Sequence, residues 1–407
     1  MPGPANKPAA HHALLAGFLG WTLDAFDFFV IVFLYDTLAH EFSVSKKAIV
    51  LTTAATLALR PVGALLFGLL SDRYGRRIPL IANVLYFSLI EVLCGFAPNY
   101  KIFFILRALF GIGMGGECGV GASLAMEAAP KRWRGILSGI LQSGYSMGYL
   151  LASVAARFVL PWLGWRWMFW LGALPALLAL YIRTKVPESE AWAQHRVGSI
   201  AQLLRIVASH WKRFLYLVVF MTFMMFLSHG TQDLYPDFLK EVHKLRQSQV
   251  ANIAILYNCG AIVGAILFGA FSQKAGRRKG ILAALGLCLL VIPFWAFGGG
   301  LLAFAVAPVL LQMGVQGAWG VIPVHLNELA ADSARGLMPG LTYQLGILLA
   351  SPTNSVQYAL REKFGYGWAL AGFETVTILA LALLLWRGTE AHGKSFLRET
   401  PSELAPP

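Results

Sequence analysis

The sequence predicts an all-α polytopic membrane protein with twelve transmembrane helices in two six-helix repeats. Of its 407 residues, 57% are hydrophobic and 13% are charged, whereas soluble domains carry about 25% charged residues. The apolar residues fall in runs of about 20, long enough for a helix to cross a bilayer. The stretch Gly68–Arg77 also recurs 201 residues later as Gly269–Arg278. The same offset relates Gly63 to Gly264, Glu127 to Glu328, Arg134 to Arg335, Gly139 to Gly340, Gly164 to Gly365 and Trp167 to Trp368, which indicates two copies of one unit.

The apolar runs define the spans and the segments between them. The predicted spans cover residues 13–35, 48–70, 79–97, 102–126, 136–160, 167–184, 213–238, 249–272, 280–297, 301–324, 337–359 and 367–387. They divide the chain into an N-terminal tail (1–12), a first half (13–184), an inter-half loop (185–212), a second half (213–387) and a C-terminal tail (388–407). The loop has room for a short amphipathic segment on the membrane surface. The C-terminal tail is polar and ends in proline, so we expect it to have little fixed structure.

The positive charges predict the orientation. The net charge is +13. The connections that follow even-numbered spans, such as 72–78 after the second span and 273–279 after the eighth, are rich in Lys and Arg. Cytoplasmic loops of membrane proteins hold such an excess of positive charge. The basic balance therefore indicates topology rather than a nucleic-acid partner. We expect both termini to be cytoplasmic and the protein to lie in a bacterial inner membrane as a monomer.

Several charged side chains fall within the apolar spans. Each costs roughly 2.5–3.5 kcal/mol at the centre of a bilayer on insertion scales, so they are expected to face a cavity or one another. Asp24 and Asp27 lie three residues apart on one helix, where two carboxylates in a low dielectric do not both ionise easily. One of them is expected to carry a proton, and the other to neutralise an arginine; the sequence leaves open which does which. Glu117 is a further candidate proton site.

Two arginines within spans have different expected roles. Arg60 lies in the middle of the second span, and a guanidinium group binds a carboxylate through two parallel hydrogen bonds. It is a candidate for binding an anionic substrate, with an internal pair to Asp24 or Asp27 as the alternative. Arg107 is interpreted as a fixed internal charge partner. The second half has no Lys or Arg at the centre of a span, so we expect polar groups there to complete an anion site.

The seventh span supplies a polar stripe. Ser228, His229, Gln232 and Asp233 follow a 3–4 spacing and therefore share one helical face. His titrates near neutral pH, and Asp233 could share its proton; the alternative is a structural hydrogen-bond cluster. Tyr145, Tyr149 and Asn258 are further candidates for lining the cavity, although isolated polar residues in spans often only join helices.

The repeated turn carries a family resemblance. The pattern Gly68-x-x-x-Asp72-Arg73-x-Gly75-Arg76-Arg77 resembles the signature between the second and third helices of the major facilitator superfamily. The resemblance implies two six-helix halves and a role for these residues in gating, with Asp72 bonded to a neighbouring helix when the inside is closed. A positive anchor at the membrane surface is the alternative. The second copy keeps Gly269, Gly276 and Arg277 but has Gln273 in place of Asp72, which implies a weaker contact.

The sharpest resemblance is in the seventh span. Ser228-His229-Gly230-Thr231-Gln232-Asp233 looks like the signature of lactate/pyruvate permeases in the sialate:proton symporter family, and the stretches 23–29 and 343–346 are similar to it too. The resemblance covers nearly the whole chain and implies that Arg60, His229, Gln232, Asp233 and Gln344 line a carboxylate pathway. Met225, Asp237 and Ile347 depart from the family's pattern.

These features favour a secondary active transporter. We expect proton-coupled symport of a small monocarboxylate, with lactate or pyruvate first, by alternating access. Sialic acid, a dicarboxylate or an aromatic acid are the alternative substrates. A membrane sensor is disfavoured because the tail is short, and an enzyme because Gly144-x-Ser146-x-Gly148 falls inside a span rather than at a strand-to-helix turn. We expect no metal and no cofactor other than the coupling proton.

Overall fold

The regular structure is entirely helical. The computed structural model describes residues 7–397, and every regular element in that range is a helix. The all-α class is therefore confirmed. The spans are labelled in chain order. Those of the first half are α1 (Lys7–Glu41), α2 (Lys46–Tyr74), α3 (Arg77–Gly95), α4 (Tyr100–Ala128), α5 (Arg134–Phe158) and α6 (Trp165–Trp170, Leu171–Ala173 and Leu174–Lys185). Those of the second half are α7 (Trp211–Gln232 and Tyr235–Glu241), α8 (Gln247–Ala275), α9 (Arg277–Phe297), α10 (Leu301–Leu329), α11 (Leu337–Ala350 and Thr353–Phe364) and α12 (Tyr366–Arg387).

Ten of the helices in the described range are long and apolar enough to cross a membrane. The other two predicted spans are α5, which carries several glycines, serines and Gln142, and α11, which is interrupted at Ser351 and Pro352. Both pack against the opposite half of the protein rather than lying wholly against lipid. Their lower apolarity follows from that position, since buried helix contacts favour small and polar residues.

Helix α7 is broken where its polar groups concentrate. It is interrupted after Gln232, and the next helical piece begins at Tyr235 with Pro236 in its first turn, where a proline fits. The predicted polar stripe therefore lies at the end of a helical segment. The first helix begins at Lys7, within the predicted tail 1–12, and residues 1–6 lie outside the described range.

The two halves meet at one end of the bundle, which we call the basic end because Arg76 and Arg277 lie there. Helix α2 packs against α11, and α5 packs against α8 and α10. Glycines allow this close approach: a Cβ atom on Gly119 would lie 2.7 Å from the Cα atom of Gly340 in the other half. The two halves are therefore in backbone contact at the basic end.

The turns between α2 and α3 and between α8 and α9 are equivalent. Gly75 and Gly276 have φ angles of 109° and 99°, which non-glycine residues rarely adopt. In each half, the helix after this turn is capped by a glutamate from the segment that follows the whole half. Glu188 accepts from the Arg76 amide at 2.8 Å, and Glu390 accepts from the Arg278 amide at 3.0 Å. Both copies of the unit thus use a following segment to complete the same turn.

The inter-half loop was expected to have room for a short helical segment, whereas the C-terminal tail was expected to have little fixed structure. The inter-half loop contains the helices Glu190–Gln194 and Ile200–Ser209. The expectation of little fixed structure was wrong for residues 388–397 of the C-terminal tail, because Phe396 is only 1% exposed and packs against the basic end. Residues 398–407 lie outside the described range.

Candidate substrate site and gate

Asp72 joins the two halves at the basic end. Its two carboxylate oxygens accept the backbone N–H groups of Gly336 and Leu337 at 2.8 and 2.9 Å, and its side chain is also paired with Arg76. Those two amides lie at the start of α11, where a helix favours negative charge. Asp72 belongs to the first half and α11 to the second, so this contact must break before the halves separate here.

Gln273 makes the corresponding contact in the second copy. Its Oε1 atom accepts from the Gly135 amide at 2.8 Å, and its Nε2 atom donates to the Lys131 carbonyl at 2.8 Å. Gly135 and Gly336 are related by the same repeat offset as Gln273 and Asp72. The two contacts are therefore equivalent, but the second lacks the charge that strengthens a hydrogen bond.

Buried ion pairs support both turns. Arg76 bonds Glu127 at 2.9 and 3.2 Å, and Arg277 bonds Glu328 at 2.9 and 3.0 Å. Burial alone would lower the pKa of Arg76, but the nearby carboxylates of Glu127 and Asp72 raise it above its usual value. Arg73 differs from these residues, because it donates to the Val197 carbonyl in the inter-half loop at 3.2 Å.

The first half encloses a cluster of charged groups. Arg107 donates to Glu91 at 2.7 Å, and both side chains are fully buried. Asp24 and Asp27 are also fully buried, and neither has a hydrogen-bond partner among the described residues. Both of these carboxyl groups interact electrostatically with Glu91 and Arg107. The ion-pair partner of Arg107 is therefore Glu91 of helix α3, rather than Asp24 or Asp27.

Arg60 lies where the two halves face each other. Its guanidinium interacts electrostatically with Asp24 and Glu117 in the first half and with His229 in the second. It is 3% exposed, its Nε atom has no hydrogen-bond partner in the described structure, and no carboxylate there comes within 4.0 Å. The direct pair between Arg60 and Asp24 or Asp27 is therefore not formed in this conformation.

The polar stripe of α7 divides between two sets of partners. His229 lies 3.2 Å from the Asp233 carboxylate, which also accepts from Asn354 at 3.0 Å. The Nε2 atom of Gln232 donates to Oε1 of Gln312 in α10 at 2.9 Å and lies 3.5 Å from the Ser228 hydroxyl oxygen. The His229 and Asp233 side chains are 42% and 33% exposed. Since His229 also interacts electrostatically with Arg60 of the first half, this pair faces the space between the halves.

A row of aromatic rings crosses the interface between the two halves. Trp21 lies 5.7 Å from Tyr145 in its own half and 6.0 Å from Tyr343 in the other half, and Tyr343 lies 5.6 Å from Trp319. These ring separations fall in the usual range for favourable aromatic contacts. A cavity extends from Trp21 and Tyr343 toward the basic end, where Asn327 bounds it.

The remaining predicted residues lie around this centre. Tyr149 packs on Phe29 at 4.9 Å and remains 37% exposed. Asn258 donates to the Ala254 carbonyl of its own helix at 2.8 Å. Gln344 is 1% exposed, and neither polar atom of its side chain has a partner in the described part of the chain.

Sequence reasoning did not assign several residues of this region. Trp21 and Trp319 look like ordinary apolar residues, and nothing in their spacing distinguishes them. Asn354 lies beyond the break in α11, so its contact with Asp233 depends on the fold. Glu127 and Glu328 do carry a signal, since the repeat offset relates them.

Comparisons with known proteins identify similar chains. The profile of the Major Facilitator Superfamily matches residues 17–351. A carboxylic acid transporter protein homolog of Saccharomyces cerevisiae is 30% identical over 376 residues, which are 86% of this chain and 61% of that protein, so the chain spans less than two thirds of its length. The sialic acid transporter NanX of Escherichia coli is 26% identical over 96% of both chains. A solved structure of the proton:xylose symporter XylE matches with a TM-score of 0.79 and 20% identity, covering 96% of this chain and 98% of that one.

Proposed function

The chain belongs to the major facilitator superfamily, and we propose that it is a proton-coupled symporter of a small monocarboxylate, with lactate or pyruvate as the first candidates. The observation that carries this proposal is Arg60, a buried guanidinium between the halves with no ion-pair partner among the described residues. A buried cation of this kind favours an anionic ligand, because an unpaired charge in a low dielectric is costly. The carboxylic acid transporter homolog in yeast supports the same class of substrate.

The substrate would reach Arg60 from the end opposite the basic end. The partly exposed His229 and Asp233 side chains face that space from the second half, and Gln344 offers an amide with unused hydrogen-bonding atoms. With the basic end taken as cytoplasmic, the conformation described here is closed to the inside. Release would require the contacts of Asp72 and Gln273 with the opposite half to break, which is the rocking motion of alternating access.

Charge balance supports the coupling to protons. The buried cluster contains four carboxyl groups, Asp24, Asp27, Glu91 and Glu117, and the two guanidinium groups of Arg60 and Arg107. If all six were ionised, two negative charges would be left uncompensated, and burying such charges costs several kcal/mol each. A substrate carboxylate beside Arg60 adds a further negative charge and therefore favours protonation of Asp24 or Glu117. Substrate and proton would then stabilise each other's binding, which is the requirement for coupling.

The aromatic row favours a second candidate, a flat unsaturated or aromatic carboxylate. Trp21 and Tyr343 meet across the interface and bound the cavity. Stacking on such rings stabilises a planar ligand more than a saturated one. A dicarboxylate remains disfavoured, since it would require a second cation at the site.

The test is counterflow of labelled lactate in proteoliposomes, with unlabelled pyruvate, benzoate, succinate and sialic acid as competitors. We expect pyruvate to compete with lactate and succinate not to compete. Competition by benzoate alone would instead indicate that the substrate is an aromatic acid. Arg60→Gln should abolish exchange, whereas Arg157→Gln, at an exposed arginine of α5, serves as the control. Normal exchange by Arg60→Gln would contradict the proposed carboxylate site.

The proton site is tested by Glu117→Gln and, separately, by Asp24→Asn. The variant that removes the proton carrier should retain lactate exchange but lose accumulation driven by a pH gradient, because exchange needs no net proton movement. Accumulation by both variants would contradict a proton site at these residues.

A further inference from the structure

The C-terminal segment 388–397 lies across the junction of the two halves. Its anchor is Phe396, whose ring is 1% exposed. The guanidinium carbon of Arg134, in the first half, lies 3.7 Å from the ring centroid, and that of Arg335, in the second half, lies 4.2 Å from it. Arg134 and Arg335 are equivalent positions of the two repeats. The phenylalanine ring therefore occupies the pseudo-symmetry axis, between one arginine from each half.

Further contacts attach the segment to both halves. In the second half, Lys394 pairs with Asp332 at 2.9 Å, and Glu390 accepts from the Arg278 amide. In the first half, Arg134 donates to the Lys394 carbonyl at 2.8 Å. His392 lies 3.0 Å from the carbonyl of Gln273, the residue that bonds the first half in the second copy of the turn.

The contact between Asp332 and Lys394 is an ion pair at 2.9 Å, which requires a charged Asp332 carboxylate. Burial would raise the pKa of Asp332, but its hydrogen bond with Lys394 and the charge of Arg335 lower it below the usual range. The carboxylate is thus ionised at neutral pH and holds Lys394, two residues before Phe396.

From these contacts we infer that residues 388–397 form a latch that holds the basic end closed and is displaced each time this end opens. Separation of the halves moves Arg134 away from Arg335, so the site for the Phe396 ring exists only in the closed conformation. The latch is a property of the gate and does not depend on which acid is carried. It makes the C-terminal segment an autoinhibitory element for opening toward the basic end.

The test measures the ratio of open to closed molecules by pulsed electron paramagnetic resonance in the full-length protein. Spin labels at Tyr74 and Lys279, exposed positions on the first and second halves at the basic end, report the distance between the halves. The background carries Cys118→Ala and Cys259→Ser, because these two cysteines are not buried.

Phe396→Ala should raise the open-to-closed ratio about 10- to 100-fold, as expected for loss of a buried phenylalanine side chain. Phe396→Tyr should retain most of the closed population, because the aromatic face that contacts both arginines remains. Leu397→Ala, at the exposed neighbouring residue, should leave the ratio unchanged. The comparison is repeated with Asp72→Asn added to each variant. That substitution is expected to favour opening, so a small open population becomes large enough to measure. Equal ratios for Phe396→Ala and Leu397→Ala in both backgrounds would overturn the latch.

Discussion

Replacement of Asp72 by asparagine tests whether the contact at the basic end is a gate. Asp72 accepts two amide hydrogen bonds from α11, one through each carboxylate oxygen. Asparagine has nearly the same shape but only one acceptor oxygen, so one of the two bonds is lost. The remaining bond also loses its charge, and Arg76 keeps only Glu127 as an acidic partner.

The size of the effect follows from these bonds. A hydrogen bond to a charged group contributes about 1.5–3 kcal/mol. Loss of one such bond in the closed state only would shift the closed-to-open equilibrium about 10- to 150-fold toward opening. Spin labels at Tyr74 and Lys279 measure that population directly. Asp36→Asn is the control, since Asp36 is an 82% exposed acid paired with Lys46 outside the gate. An unchanged distance distribution for Asp72→Asn would refute the gating role.

Two other variants test the packing of the halves and the buried charge pair. Gly119→Ala should favour the open basic end, because the added Cβ would lie 2.7 Å from the Gly340 Cα atom; Gly286→Ala, with no neighbour within 4 Å, should leave the label distances unchanged. Arg107→Met should destabilise the protein by about 3–5 kcal/mol, since it leaves Glu91 buried without its partner. Thermal unfolding in detergent should show a lower midpoint, and addition of Glu91→Gln should recover part of the loss. A midpoint equal to that of the unaltered protein would contradict the pair's role.

The sequence predicts the framework well because the framework is repeated and periodic. The apolar runs place the twelve spans, and the repeat offset that relates Gly68 to Gly269 also relates the residues that cross the interface. The contact of Asp72 with Gly336 and that of Gln273 with Gly135 therefore have a common origin. The relative strength of the two contacts remains a prediction.

Side-chain partners are harder to predict, because they depend on how each helix is rotated and broken. The sequence identifies Arg107 as a buried charge, yet its partner Glu91 lies on another helix. Likewise, Asp233 meets Asn354 only because α7 and α11 are both interrupted near these residues. Helical periodicity shows which residues share a face but does not show which helix that face contacts.

The C-terminal segment was mispredicted for a different reason. Its polar composition is typical of a poorly ordered tail, and one phenylalanine gives little indication of packing. The binding site for Phe396 consists of Arg134 and Arg335, which are far from each other in sequence. Only the assembled pair of halves provides this surface.

The central claim, proton-coupled uptake of a small monocarboxylate, is tested most directly by accumulation of labelled lactate in proteoliposomes under an inwardly directed proton gradient. We predict accumulation above the equilibrium level for an uncoupled solute, and its loss when a protonophore collapses the gradient. Lactate entry that ignores the gradient would contradict the coupling, and absence of lactate and pyruvate entry while another acid accumulates would contradict the substrate.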